Sequence, residues 1–337
     1  MTEEAKPKSR GSLMAWVGGA LSLVAVGILV WRVDFKDVKT ALASAELVWL
    51  VPAVAIFVAL FLVRSWRWSL MLGHSPYWAT FHANNIGYML NVTLPLRMGE
   101  LARVFVVSRI GKVGVAHAFS IAIVERLLDL GAVVVLFAIF AQFIPMGPSF
   151  NRAATVGLVV VLASVAAGIL VVVKGDAVER IARPWLARLG EARADAVMKR
   201  FHEVVQGFRS LGSLRAVLMT SVLTVAIWGM TIIFTALCMR AFLAAHTAVG
   251  PAGLVVVVAN LGGAVPSAPG GLGIVQGFAT SALVVPFKIP ESEALAFVLV
   301  WSLGSQVMCV VLGLLSMTRV GLSFSEIRRG ATGSSGG

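Results

Sequence analysis

Residues 47–64 read LVWLVPAVAIFVALFLVR, an uncharged run closed by an arginine. Its apolar residues form one block instead of recurring at helical or strand spacing, which is the pattern of a helix surrounded by hydrocarbon. A helix rises 1.5 Å per residue, so about twenty residues cross a bilayer core about 30 Å thick. Comparable blocks lie near 13–31, 114–141, 153–173, 215–237 and 294–318, so the sequence predicts six full spans. The composition agrees: 58% of the 337 residues are apolar and 13% are charged. A transmembrane barrel is excluded, because its strands alternate apolar and polar residues in segments of about ten. The predicted fold is therefore an all-α polytopic membrane protein.

Two further apolar stretches are interrupted. Residues 78–96 contain Asn84, Asn85, Asn91 and Pro95, and residues 249–286 contain Pro266, Pro269 and the run Gly270-Gly271-Leu272-Gly273. Proline and glycine at this density break helices, and non-helical backbone at membrane depth needs protein or a water-filled cavity around it. Both stretches are predicted to be re-entrant helical hairpins, giving about eight hydrophobic segments. The first block, Leu13 to Val30, lacks a small-residue cleavage site and is expected to stay as a span.

The net charge of +12 does not point to nucleic acid, because the basic residues flank the apolar blocks. Both termini are placed in the cytoplasm of a bacterial-type inner membrane, as tails 1–12 and 319–337 around a transmembrane domain 13–318. Lys plus Arg then divide 21 inside to 6 outside, with Arg126 left within a span. In this topology the hairpins enter from opposite sides, so two groups of span, hairpin and span form a candidate inverted repeat. Pro95-Leu96-Arg97-Met98-Gly99 and Pro269-Gly270-Gly271-Leu272-Gly273 share a Pro-x-x-x-Gly frame at corresponding places. The cytoplasmic loop 174–215 carries Val197, Phe201, Val204, Val205 and Phe208 at helical spacing among basic residues. It reads as an amphipathic helix, lying either on an anionic leaflet or on the protein's own inner face.

Three stretches carry candidate function. Glu125, Arg126 and Asp129 lie inside an apolar span, with Glu125 about 15 Å beyond its start and thus near mid-bilayer. Three charges there oppose insertion by about 8 kcal/mol before pairing. Arg126 can pair with Asp129 at i,i+3, leaving one acid to find another partner. The cluster is either a structural ion-pair lock or the polar wall of a transport path. In the second stretch Asn91 precedes the Pro95 break, and a restarted helix would carry Arg97, Glu100 and Arg103. A helix N-terminus beside arginines suits a phosphate headgroup, although the arginines also suit a plain membrane boundary. Glu100 answering Arg126, or Arg97 answering Glu125, is a third possibility. The third stretch is Pro269, Gly270, Gly271, Gly273 and Gln276, where glycines permit close backbone approach, to a ligand or to another helix. Arg64-Ser65-Trp66-Arg67-Trp68 reads as an ordinary interfacial anchor of Trp and Arg. Cys238 and Cys309 read as packing residues, and the five histidines lack metal-ligand spacing, so no metal and no cofactor is expected.

In these stretches the chain resembles the transmembrane domain of lysylphosphatidylglycerol synthase and its stand-alone flippase-like relatives. The residues that carry the likeness are 64–68, 95–103, 125–129 and 269–273, in family order, and the resemblance covers roughly residues 13 to 318. It implies a flippase-like bundle acting on phospholipid or on isoprenoid- or hopanoid-type lipids. The family often carries a glutamate where this chain has Gln276. The synthases add a soluble aminoacyl transferase domain, so with the sequence ending at 337 no lipid aminoacylation is expected from this chain alone. An enzyme would need a metal-binding acidic motif, and the acids of loop 174–215 form none. The expectation is a lipid translocase that is not an enzyme; the alternative is an accessory subunit of a lipid-modifying enzyme.

Overall fold

In a computed structural model of the protein, the described residues are 39–40, 43–73, 75–94, 98–141, 214–244, 247–264, 269–322 and 326, with isolated positions between 179 and 198. The expected spans 13–31 and 153–173 lie outside them, as do Pro95, Leu96, Arg97, Pro266 and most of loop 174–215, including its expected amphipathic helix. All regular structure among the described residues is helical. In chain order the α-helices are α1 Leu50–Met71, α2 Tyr77–Thr93, α3 Gly99–Ile110, α4 Val115–Ala141, α5 Leu214–Phe242, α6 Val249–Ala264, α7 Ile274–Phe287 and α8 Glu291–Val320. A 3-10 turn, Leu47–Trp49, leads into α1, and another, Pro269–Gly271, lies between α6 and α7.

Three stretches, Leu47–Met71, Arg215–Phe242 and Glu291–Val320, are long and apolar enough to cross a membrane. Their outward faces are apolar too. Val51, Val54, Val58 and Leu62 are exposed on α1, and Val307, Val311, Leu314 and Leu315 on α8. Exposed apolar stripes of this extent belong against lipid, not water. The protein is a multi-pass membrane protein.

The first interrupted stretch differs in detail from its expected form. Asn84, Asn85 and Asn91 do not break the helix, and α2 runs unbroken for 17 residues. Buried amides are tolerated when bonded: Asn84 Oδ1 accepts from Arg103 Nη1 at 3.3 Å, and Asn85 Nδ2 donates to Ser316 Oγ at 3.0 Å. α2 ends at Thr93 and the next helix, α3, begins at Gly99. Gly99 lies against the Gly87 carbonyl and Asn91, where a Cβ would collide with both. The second stretch breaks where glycine and proline are densest. Gly270, Gly271 and Gly273 have φ of 68°, 70° and 82°, a region costly for other residues. Gly262 on α6 then meets the Phe278 ring on α7, so these helices pack closely.

The chain divides into two compact units. One comprises Met1–Phe57, Ile86–Gly99 and Ile232–Leu315; Phe57 and Phe234 meet there at 5.2 Å between ring centroids. The other comprises Val58–Asn85, Glu100–Thr231 and Ser316–Gly337, with Phe61, Trp68, Met71, Val107, Ile121 and Ile227 buried. It holds every charged residue of the site described next.

Candidate functional site

The sequence suggests a membrane interface for Arg67, and the structure buries it. Ala53, Phe57, Leu60, Arg67 and Met71 recur at helical spacing on the buried side of α1, so Arg67 occupies a core position. It is 1% exposed. Its Nη1 donates to Asp129 Oδ1 at 2.7 Å and to Thr224 Oγ1 at 2.9 Å. Its Nη2 donates to Glu125 Oε1 at 2.9 Å and to Asp129 Oδ2 at 3.2 Å. One guanidinium thereby joins α1, α4 and α5. The interfacial-anchor reading of residues 64–68 holds for neither Arg67 nor Trp68, both sealed in the core. Trp66, 47% exposed, is the member that faces outward.

α3 supplies the second buried cation. Arg103 Nη2 lies 2.6 Å from Glu125 Oε2 and 2.9 Å from Glu100 Oε2, and its guanidinium sits 4.7 Å from the Trp68 ring centroid. Glu125 is thus held between two arginines from different helices, which answers the acid that the sequence left without a partner. Arg126 is the outer member, its side chain 44% exposed, with ion pairs of 3.5 Å to Glu100 and 3.8 Å to Glu125 and Asp129. The six charges balance: Arg67, Arg103 and Arg126 against Glu100, Glu125 and Asp129. Balance is what makes such burial affordable, since a lone charge in this surrounding costs several kcal/mol.

Glu125 lies ten residues into α4, about 15 Å, but its partner Arg67 lies four residues, about 6 Å, from the end of α1. The two helix ends are staggered, and the network sits close to one end of α1.

The remaining candidates divide. Arg97 is outside the described residues. Arg103, read as a headgroup ligand, is 2% exposed and engaged with Glu125, Glu100 and Asn84. Asn91 packs against Gly99, and Pro95 lies in the undescribed break. The second motif forms a separate, uncharged arrangement in the other unit. Gln276, 2% exposed, accepts from the Gly273 N–H at 2.7 Å and donates from Nε2 to Ser302 Oγ at 3.0 Å. Gln306 Nε2 donates to the Gly270 carbonyl at 3.1 Å. An amide at 276 both accepts and donates, as this place uses it.

Arg67 was legible in principle. Two acids in one span demand cations, and Arg67 is the arginine of residues 64–68 that continues the buried spacing of Ala53 and Leu60.

Comparison with known proteins places the sequence in a family. The family profile described as "Lysylphosphatidylglycerol synthase TM region" matches residues 15–313. The chain belongs to that family. No curated protein and no solved structure matches it. The family region contains the whole ion network and the Gly270–Gln276 arrangement, so both features of this lysylphosphatidylglycerol synthase transmembrane-region protein lie in its membrane part.

Proposed function

We propose that the protein is a translocase, not an enzyme, that carries a phospholipid or lipid-linked anion across a bacterial-type inner membrane. One observation carries the reading. Within a balanced ion network, Arg126 lies at the outer edge, on a face of α4 that otherwise exposes Phe119, Leu127 and Leu130. A guanidinium set in an apolar exposed face suits a lipid phosphate, because it meets headgroup and chains at once. Ionisable groups inside membrane segments commonly mark a pathway. The helix breaks beside Gly99 and at Gly270–Gly273 supply backbone of the kind transporters use around their sites.

In this reading α4 also crosses the membrane, the broken pairs α2–α3 and α6–α7 are re-entrant hairpins of an inverted repeat, and both termini are cytoplasmic. The partners are membrane lipids of phospholipid, isoprenoid-phosphate or hopanoid type, and a lipid-modifying enzyme that makes or uses them. The matched family is named for the membrane region of a synthase, and lipid movement is a task that a membrane region can carry.

The test is reconstitution in liposomes with fluorescent anionic, zwitterionic and isoprenoid-phosphate lipids. Movement of at least one class is expected, with loss in Arg126→Ala at unchanged melting temperature. Folded wild-type protein that moves none of them would point instead to the accessory role.

A further inference from the structure

α5 turns unlike faces to its two surroundings. Thr220 and Thr224 are buried, and Thr224 accepts from Arg67 of the ion network. Arg215, Leu218 and Val222 face outward, with Leu218 and Val222 56% and 61% exposed. Together with Met219 they line a cavity of about 410 Å³ that opens on the outer surface. Spacing explains the shared wall, because i, i+3, i+4 and i+7 fall on one helix face. The wall runs about 10 Å along the helix axis. It occupies the first turns of Arg215–Phe242, one of the stretches long and apolar enough to cross a membrane.

Charge and chemistry decide what such a groove would hold. Arg215 is exposed, and among the described residues no acidic group pairs with it. It also closes the loop 174–215, where nine Lys and Arg outnumber five Asp and Glu, so this end of α5 attracts anions. Leu218, Met219 and Val222 offer no strong hydrogen bond and suit hydrocarbon. An inorganic anion would use the charge and leave the groove empty. A neutral hydrocarbon would fill the groove and leave the charge unused. A phospholipid of net negative charge uses both, with its phosphate at Arg215 and an acyl chain along Leu218, Met219 and Val222.

We propose that this groove binds one anionic phospholipid of the surrounding leaflet, at a site separate from the ion network. The lipid is a resident one, held without being moved. The site therefore goes beyond the translocase reading, and its failure would leave that reading as it stands.

The test is native mass spectrometry of the full chain released from micelles that contain phosphatidylglycerol and phosphatidylcholine. Arg215→Gln removes the charge, and Val222→Trp fills the groove. Val225→Trp, at a position 73% exposed on α5 but outside the groove, is the control. The wild type should retain phosphatidylglycerol in preference to phosphatidylcholine. Arg215→Gln should lower phosphatidylglycerol retention about fivefold and leave phosphatidylcholine unchanged. Val222→Trp should lower both, Val225→Trp neither, and all three should keep the wild-type melting temperature. Wild-type phosphatidylglycerol retention in either Arg215→Gln or Val222→Trp overturns the site. So does a Val225→Trp effect equal to that of Val222→Trp, which would reduce the groove to general lipid contact. Inorganic phosphate that stabilises the wild type as well as phosphatidylglycerol does would assign Arg215 to a free anion. Dimers lost in Val222→Trp would assign the face to a second copy of the chain. Either of these results also overturns the proposal.

Discussion

The two broken helix pairs, α2–α3 and α6–α7, are built alike and held differently. Each is a pair of short helices around a break, followed by a long helix. The first pair is held by charge: Arg103 on α3 reaches Glu125 on α4, and Arg67 on α1 closes the network. The second is held by neutral amides: Gln276 bridges Gly273 and Ser302, and Gln306 holds the Gly270 carbonyl. The difference follows from the breaks themselves. Three glycines at positive φ make a tight turn whose backbone groups lie within reach of a glutamine. The start of α3 at Gly99 leaves it with Glu100 and Arg103 in its first turns, and these need charged partners from elsewhere. Charge gives directional locks that fail badly when one member is lost; amides give weaker locks that fail gently.

That contrast can be broken at four places. Arg67→Ala should cost the most, about 3–5 kcal/mol, because it leaves Glu125 and Asp129 buried with fewer cations. Denaturant unfolding in detergent measures the loss, and Arg67→Ala/Asp129→Ala should recover part of it. A loss below that of Gln276→Ala would remove the distinction between the two locks. Gly270→Ala comes next, at about 1–3 kcal/mol, since it forces a side chain to φ 68° and toward Gln306. Gln276→Ala should follow at about 1–2 kcal/mol for two neutral hydrogen bonds, read from the same unfolding curves. Arg126→Ala should change stability least, by less than about 1 kcal/mol, because its pairs are long and partly exposed. Its effect belongs in the lipid-movement assay, and a large stability loss there would make Arg126 part of the lock.

Much of the helix pattern was readable from residue order. The breaks before Gly99 and at Pro269–Gly273 follow from backbone geometry, which is local. The acids at 125 and 129 announced a need for cations, because unpaired charge in an apolar span is costly. The asparagines misled: Asn84 and Asn85 look like interruptions, yet α2 absorbs them because Arg103, Ser65 and Ser316 bond their amides. Arg67 misled in the other direction, since an arginine between tryptophans at the end of an apolar block has the composition of an anchor.

What the sequence by itself determined is the membrane class, the long helices and the places where they break, all consequences of short-range hydropathy and backbone sterics. The sequence also offered the Arg126–Asp129 and Arg126–Glu100 pairs; only the tertiary structure decided that Arg67 and Arg103 meet Glu125. Ion pairing depends on distance in space, and Arg67 lies 58 residues from Glu125 along the chain but 2.9 Å from it in the fold. Burial decided the rest: the same guanidinium is a lock at Arg67 and an exposed edge at Arg126, and residue type alone cannot tell them apart.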